Sequence, residues 1–265
     1  MDIARPTPEP TPTAVAHDRM RVRYAVLGAS ALLVGIWLAW IGAWLFGWPL
    51  GDLGIVPRRQ DSLTGILTAP FAHASFDHLM SNTLPLGVLA TLTLYCYPRA
   101  ARLALPLIWV LSGLGVWLFA RSSVHVGASG IVHGLMFFLF SMGLFRRDRL
   151  AIVTSLVVFF LYGGMLLTVL PGKEQVSFEY HLFGAMAGVL AAWLFRGRDR
   201  SPPAKRYSWE IEAEREAKVD DEFDLPRPHE VPVLWQRSAT DTGRGRIIEF
   251  RQREPQDDPS RPTLH

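Results

Sequence analysis

Six apolar segments, each long enough to cross a lipid bilayer, constrain this 265-residue chain more than any other feature. A helix needs about 20 mostly apolar residues to span the hydrocarbon core of a membrane. The segments lie at about 24–47, 78–97, 102–120, 127–145, 149–170 and 178–196. Because most of the connections between them are short, they predict an all-α, polytopic membrane domain of six helices over residues 19–196.

The regions on either side of this domain have a different composition. Residues 1–18 contain a Pro/Thr run, and residues 197–265 are polar and proline-rich, with 13 Lys/Arg and 15 Asp/Glu. Segments of this kind bury too little apolar surface to form a core of their own. We therefore expect a disordered tail at 1–18 and a mostly disordered tail at 197–265. The second tail has a helix-compatible stretch at 208–218 and short apolar islands suited to docking on a cytoplasmic partner.

Basic residues flank the six spans unequally. Eleven arginines lie on the side of the membrane that holds the N-terminus, and four basic residues lie on the other. Positive charge is enriched on the cytoplasmic side, so both termini are expected in the cytoplasm, with the domain in the bacterial cell membrane. The basic pI of 9.2 comes from these flanking charges. It indicates membrane topology and argues against nucleic-acid binding.

The cysteine content limits the chemistry that this chain can carry out. The single cysteine, Cys96, excludes an intramolecular disulfide and a cysteine-based metal cluster, and we predict neither a metal nor a cofactor.

The connection 48–77 is about 30 residues long and rich in Leu, Ile and Phe. Loops of this length in a compact domain are usually functional or disordered, and the apolar content favours a loop folded against the bundle or the outer leaflet.

Polar residues collect at one depth of the predicted bundle. With the N-terminus inside, spans two, four and six all begin at the outer face. Five of the eight histidines fall on or near this layer: His73, His78, His125, His133 and His181. Polar groups within a membrane are costly and usually face the bundle interior or a water-filled cavity. The sequence therefore predicts a polar cavity on the outer side.

The residues at this depth favour nucleophilic catalysis. Ser129 opens span four between glycines, and a serine hydroxyl needs a base to act as a nucleophile. His181, on span six at the same depth, can accept its proton. Glu179 is two residues from His181 and points to nearly the opposite side of a helix, so a Ser–His dyad is favoured over a triad. His78 and Asn82 share a helix face and can donate hydrogen bonds to an oxyanion.

Each of these features alone has an ordinary explanation. An intramembrane His or Asn often bridges two helices, and glycines four residues apart, as at Gly130/Gly134 and Gly184/Gly188, often mark close helix packing. The conjunction of a helix-opening serine with two histidines on separate, parallel helices is what favours catalysis.

Three motifs carry a resemblance to a known family. They are Ala-His-Ala-Ser-Phe-Asp-His-Leu-Met-Ser-Asn at 72–82, Gly-Ala-Ser-Gly at 127–130 and His-Leu-Phe-Gly-Ala-Met-Ala-Gly at 181–188. In this order and topology they resemble the rhomboid intramembrane serine proteases. The resemblance covers about residues 20–196, including the six-helix count and the long first loop, and it leaves both tails outside.

The resemblance implies a role for each matching position. Ser129 would be the nucleophile and His181 the general base, with His78 and Asn82 in the oxyanion hole. Rhomboids use a Ser–His dyad without a metal or cofactor. They cut transmembrane segments of other membrane proteins near the outer face of the bilayer.

Further positions either support the resemblance or depart from it. Gly127 would leave room beside the nucleophile, and His73 would support the outer end of span two. Family members commonly carry an aromatic residue four positions after the serine, packed on the catalytic histidine. Here this residue is His133, which can still stack and can either compete for a proton or change the pH optimum. Many members also have a Trp-Arg pair in the first loop, where this chain has Asp-Ser-Leu-Thr-Gly at 61–65.

We therefore expect a serine-type endopeptidase whose partners are transmembrane protein substrates and the lipid bilayer. One alternative is a catalytically silent rhomboid-like protein that binds membrane helices. Another is a small transporter or channel that uses the histidines as proton or metal sites. The transporter would need polar groups along a whole path, and the inner halves of the spans offer almost none.

Overall fold

The computed structural model describes residues 11–172 and 176–199, together with Trp209, Glu212, Ala213 and Glu216. Six helices in this part of the chain are long and apolar enough to cross a membrane. The all-α polytopic architecture predicted from the sequence is therefore confirmed. Most of the tail predicted at 197–265, with its apolar islands, lies outside the described residues.

Within the described residues, seven α-helices, six of them long, form the domain. They are α1 (Pro12–Phe46), α2 (Gly65–Thr68), α3 (Phe76–Cys96), α4 (Pro98–Phe119), α5 (Ser129–Arg146), α6 (Arg149–Tyr162) and α7 (Phe178–Phe195). Short 3-10 helices occupy Leu50–Leu53, Gln60–Ser62, Ala69–Phe71 and Gly163–Val169. Because consecutive spans alternate in direction, α3, α5 and α7 begin at the same end of the bundle, which we call the site end.

Two segments differ from the sequence prediction. Helix α1 begins at Pro12, so residues 12–18 of the expected disordered tail are helical, while residues 1–10 lie outside the described part. The Thr11 side chain caps the helix by accepting from the Ala14 N–H, and the Tyr95 hydroxyl on α3 donates to Asp18 at 2.9 Å. Contact with α3 thus stabilises the helical conformation of residues 12–18, whose polar composition does not predict a membrane-spanning helix.

The fifth span is the second difference. Its bounds, Arg149–Val169, agree with the predicted 149–170. It is not one continuous α-helix, however, because α6 ends at Tyr162 and the chain continues as a 3-10 helix through Val169. The change occurs at the pair Gly163-Gly164, which is the least favourable sequence for a regular helix within this span. The 3-10 helix brings a different set of backbone carbonyls to the site end.

The long first loop is folded and anchored on α4. Arg58 adopts a positive φ of 61° and donates to the Ala120 carbonyl at 3.0 Å, while Trp117 Nε1 donates to the Arg59 carbonyl at 2.9 Å. An isolated antiparallel bridge also joins Ile55 to His125 in the segment before α5. The loop therefore packs on the helix bundle, as expected, and its anchor is a tryptophan from α4 with two arginines from the loop.

Helix α5 is the most buried of the six spans and packs mainly against α7, α6 and α4. Its contact with α7 is made by backbone against backbone. A Cβ atom added at Gly184 would overlap the carbonyl oxygen of Gly130, and one at Gly188 would overlap that of Gly134. Glycine at these positions allows the two helices that carry Ser129 and His181 to approach closely.

We expect Gly188→Ala to destabilise the domain by about 1–3 kcal/mol, because the added methyl group meets a helix backbone that cannot move aside. Thermal unfolding in detergent measures the effect. The matched control is Gly197→Ala, just beyond the end of α7, where an added Cβ meets nothing within 4 Å. Equal unfolding temperatures for the two variants would contradict the backbone contact.

Candidate active site

A cavity of about 1040 Å³ lies at the site end, between the first turns of α3, α5 and α7. Polar side chains form much of its lining. Five of the seven candidate residues line it: His78, Asn82, Ser129, His133 and His181. Gly127 and His73 are absent from the lining and lie behind it. The structure therefore brings three separate helices together at one polar cavity.

Ser129 is the first residue of α5, and this helix begins without a side-chain cap. The other two helices at the site end are capped: Ser75 accepts from the His78 N–H at 3.1 Å, and Ser177 accepts from the Tyr180 N–H at 3.2 Å. The first N–H groups of a helix need partners outside the helix and carry its partial positive charge. The start of α5 thus keeps donors that an anion beside Ser129 can use.

His181 is buried, and its tautomer is fixed by a backbone group. Its Nδ1 lies 3.0 Å from the carbonyl oxygen of Thr168 in the 3-10 helix. A carbonyl can only accept, so Nδ1 carries the proton and Nε2 keeps its lone pair in the neutral ring. No hydrogen bond joins the Ser129 hydroxyl to His181 within the described residues, and such contacts are often long in the absence of substrate.

His133 is buried between the two helices and contacts both candidate catalytic residues. Its ring stacks on His181 with a centroid separation of 3.9 Å and an interplanar angle of 11°. Its Nδ1 lies 2.8 Å from the carbonyl oxygen of Ser129, and its Nε2 lies 2.8 Å from Thr168 Oγ1. An imidazole therefore packs on His181 as the aromatic residue expected at this position would, and it adds two hydrogen bonds.

Asn82 and His78 lie one helical turn apart on α3. The Asn82 side-chain amide donates to the His78 carbonyl at 2.9 Å, and its second N–H hydrogen is left for another acceptor. The half-buried His78 ring needs the glycine opposite: Gly127 has a φ of 112°, and a Cβ there would lie 2.6 Å from His78 Cε1. Gly127 thus provides room for the His78 ring.

His73 supports the start of α5 from behind the cavity. It accepts a hydrogen bond at Nε2 from the Ala128 N–H at 3.4 Å, and its ring meets the His78 ring edge-on at 5.1 Å. It therefore contacts both the residue before Ser129 and the His78 ring.

Three interactions at the site were not predicted from the sequence. Thr168 contacts both buried histidines, as described above. His125 Nδ1 lies 2.6 Å from Ser177 Oγ, and Arg121 pairs with Glu179 at 3.4 Å. The contact between His125 and Ser177 was predictable from the sequence, because these two residues lie four positions before Ser129 and His181, respectively. Nothing in the local sequence indicates the partners of Thr168, which depend on how the chain folds.

We expect His73 to make the stability of the domain depend on pH. Burial, followed by repulsion from His78, lowers the pKa of His73 from 6.5 to about 4. Between pH 4 and pH 6.5 the unfolded chain therefore binds more protons than the folded protein. The stabilisation is complete above pH 6.5 and is lost as the pH falls towards 4. It amounts to about 3 kcal/mol.

The test is thermal unfolding across this pH range for the wild type and His73→Gln. Glutamine keeps an acceptor for the Ala128 N–H but does not titrate. The unfolding temperature of the variant should fall less steeply below pH 6.5. Parallel curves would rule out His73 as the titrating group.

Comparison with known proteins identifies the family of this chain. The sequence model of the Rhomboid domain matches residues 60–198. An uncharacterised protein of Mycobacterium tuberculosis is 39% identical over 217 residues, which is 77% of this chain and 89% of the relative. An uncharacterised protein of Mycobacterium leprae is 35% identical over 164 residues, covering 58% of this chain and 65% of the relative. This multi-pass membrane protein therefore belongs to the rhomboid family.

Proposed function

We propose that this protein is an intramembrane serine endopeptidase with Ser129 as nucleophile and His181 as general base. The observation that carries the proposal is the hydrogen bond from His181 Nδ1 to the Thr168 carbonyl, which leaves Nε2 as an acceptor on a ring that lines the same cavity as Ser129. A serine hydroxyl becomes an effective nucleophile when such a base takes its proton. The backbone carbonyl replaces the carboxylate of a triad as the group that orients the base.

In the acylation step, Ser129 Oγ attacks the carbonyl carbon of the scissile peptide bond as its proton passes to His181 Nε2. The developing oxyanion is stabilised by the free Asn82 N–H, by His78 and by the uncapped N–H groups at the start of α5. The protonated His181 then donates to the leaving amine, and the C–N bond breaks. An ester between Ser129 and the N-terminal part of the substrate remains.

In the deacylation step, a water molecule attacks this ester and gives its proton to His181. The acid is released as the proton returns to Ser129 Oγ, which restores the starting state. The cavity is large enough for water, and its lining includes Ser81, Ser123 and Arg121 as well as the catalytic candidates. Water access to a buried bond is a requirement that an enclosed apolar pocket would not meet.

We propose that the substrates are single transmembrane helices of other membrane proteins, cut near the outer face of the bacterial cell membrane. A continuous helix hides its peptide carbonyls in hydrogen bonds, so the cleaved segment must unwind locally. Small or helix-breaking residues near the bond lower the cost of unwinding by up to about 1 kcal/mol each for glycine. In this arrangement both termini of the enzyme lie in the cytoplasm, and its C-terminal tail is available to a cytoplasmic partner.

The direct test is covalent labelling of the purified protein in detergent with a fluorophosphonate probe. The wild type should be labelled, and Ser129→Ala should lose the label entirely because the attacking oxygen is absent. The matched control is Ser81→Ala, which removes a hydroxyl from the same cavity that donates to the carbonyl of its own helix at 2.8 Å. This control should be labelled at the wild-type rate.

The assay should be run at several pH values, since the reaction needs neutral His181. Absence of Ser129-dependent labelling at every pH would contradict the proposal and favour a rhomboid-like protein that binds membrane helices without cutting them. Equal loss of label in Ser81→Ala would instead indicate that the cavity had been distorted.

A further inference from the structure

The proposed reaction uses the carbonyl of Thr168 but leaves the contact of its hydroxyl unexplained. Thr168 lies in the 3-10 helix Gly163–Val169, between α6 and α7, and lines the same cavity as Ser129. Its carbonyl oxygen binds His181, and its hydroxyl lies 2.8 Å from His133 Nε2. One residue therefore contacts two buried histidines on two different helices.

The hydrogen atoms in this network can be assigned from the carbonyl groups. His133 Nδ1 donates to the Ser129 carbonyl, so Nε2 of the neutral ring must accept, and the Thr168 hydroxyl is its donor. The same hydroxyl also donates to the Met165 carbonyl at 2.8 Å, so its one hydrogen is shared between two acceptors, this carbonyl and His133 Nε2. His181 Nδ1 donates to the Thr168 carbonyl.

These bonds form a closed chain through the site. It runs from the Ser129 carbonyl to His133, on to the Thr168 hydroxyl, through Thr168 to its carbonyl and then to His181, whose ring stacks back on His133. Hydrogen bonds to both nitrogens of the His133 ring restrict its rotation, and the stacked His181 ring is restricted with it. Proton transfer depends on such positioning, because small displacements of a catalytic side chain lower the rate.

We propose that Thr168 is a positioning residue for the base. Its carbonyl selects the tautomer of His181, and its hydroxyl holds His133 as the surface on which His181 stacks. This inference rests on the proposed function, because it assigns Thr168 a role in the orientation of the base. It also explains why histidine can occupy position 133: Thr168 and the Ser129 carbonyl satisfy both of its ring nitrogens.

The experiment compares Thr168→Val, which removes the hydroxyl at nearly constant volume, with Thr168→Ser, which keeps it. The readouts are the rate of Ser129 labelling by a fluorophosphonate, and kcat and KM for a transmembrane substrate in liposomes. Thr168→Val should lower kcat and the labelling rate by about tenfold with little change in KM, as loss of one orienting hydrogen bond implies. Thr168→Ser should restore most of the rate.

Two comparisons separate positioning from general damage. Thr154→Val on α6 removes a buried hydroxyl that donates to the Leu150 carbonyl of its own helix at 2.8 Å, and it should leave the rate unchanged. In a His133→Phe background, Thr168→Val should have no further effect, because the hydroxyl then has no imidazole to hold. An unchanged rate in Thr168→Val, or effects that simply multiply in the double variant, would overturn the inference.

A readout independent of activity distinguishes failure of this inference from failure of the proposed function. In ¹⁵N-histidine NMR spectra, His133 and His181 should each be protonated at Nδ1, and Thr168→Val should shift the His133 Nε2 signal. If the wild type is not labelled at Ser129, the proposed function fails, and the spectra still decide the network. A His181 ring protonated at Nε2, or a His133 signal unaffected by Thr168→Val, would overturn the role of Thr168 whatever the labelling result.

Discussion

The backbone contact between α5 and α7 is the constraint on which the site depends. Ser129 has a short side chain, so its helix and the helix that carries His181 must lie unusually close together for the two to share a cavity. Glycines at 130, 134, 184 and 188 make this approach available, since a methyl group at 184 or 188 would occupy the position of a carbonyl oxygen. Packing of this kind, without side chains between the helices, fixes the depth as well as the distance of the two residues.

Backbone carbonyls orient the two stacked histidines, a role that charged groups have in many soluble hydrolases. The carbonyls of Thr168 and Ser129 accept from the two stacked histidines, and Glu179, the nearest acidic residue in the chain to His181, pairs with Arg121 instead. A neutral orienting group suits a site at membrane depth, because a buried carboxylate would need a paired positive charge to offset the cost of its desolvation. The 3-10 helix at Gly163–Val169 matters here because it presents the Thr168 carbonyl to His181.

Much of the fold could be predicted from the sequence, because spans of about 20 apolar residues and the direction of each span place the first turns of α3, α5 and α7 at one depth. The same features of the sequence indicate Ser129, His181, His78 and Asn82 as site residues, whose roles stay predictions. Thr168 is not predictable in this way, because a threonine in an apolar run has no local signal and its partners come from α5 and α7. The helical start of α1 at Pro12 and the anchoring of the first loop by Trp117 were missed for the same reason: tertiary contacts determine them.

In the proposed mechanism, Ser129 attacks a carbonyl carbon while Asn82 and His78 bind the carbonyl oxygen and His181 keeps its tautomer. An experimental structure of the protein inactivated by a fluorophosphonate tests all of these at once. We expect phosphorus bonded to Ser129 Oγ, a phosphoryl oxygen about 3 Å from the Asn82 amide nitrogen, and His181 Nδ1 still bound to the Thr168 carbonyl. An adduct on another residue, or a phosphoryl oxygen directed away from Asn82 and His78, would contradict this mechanism.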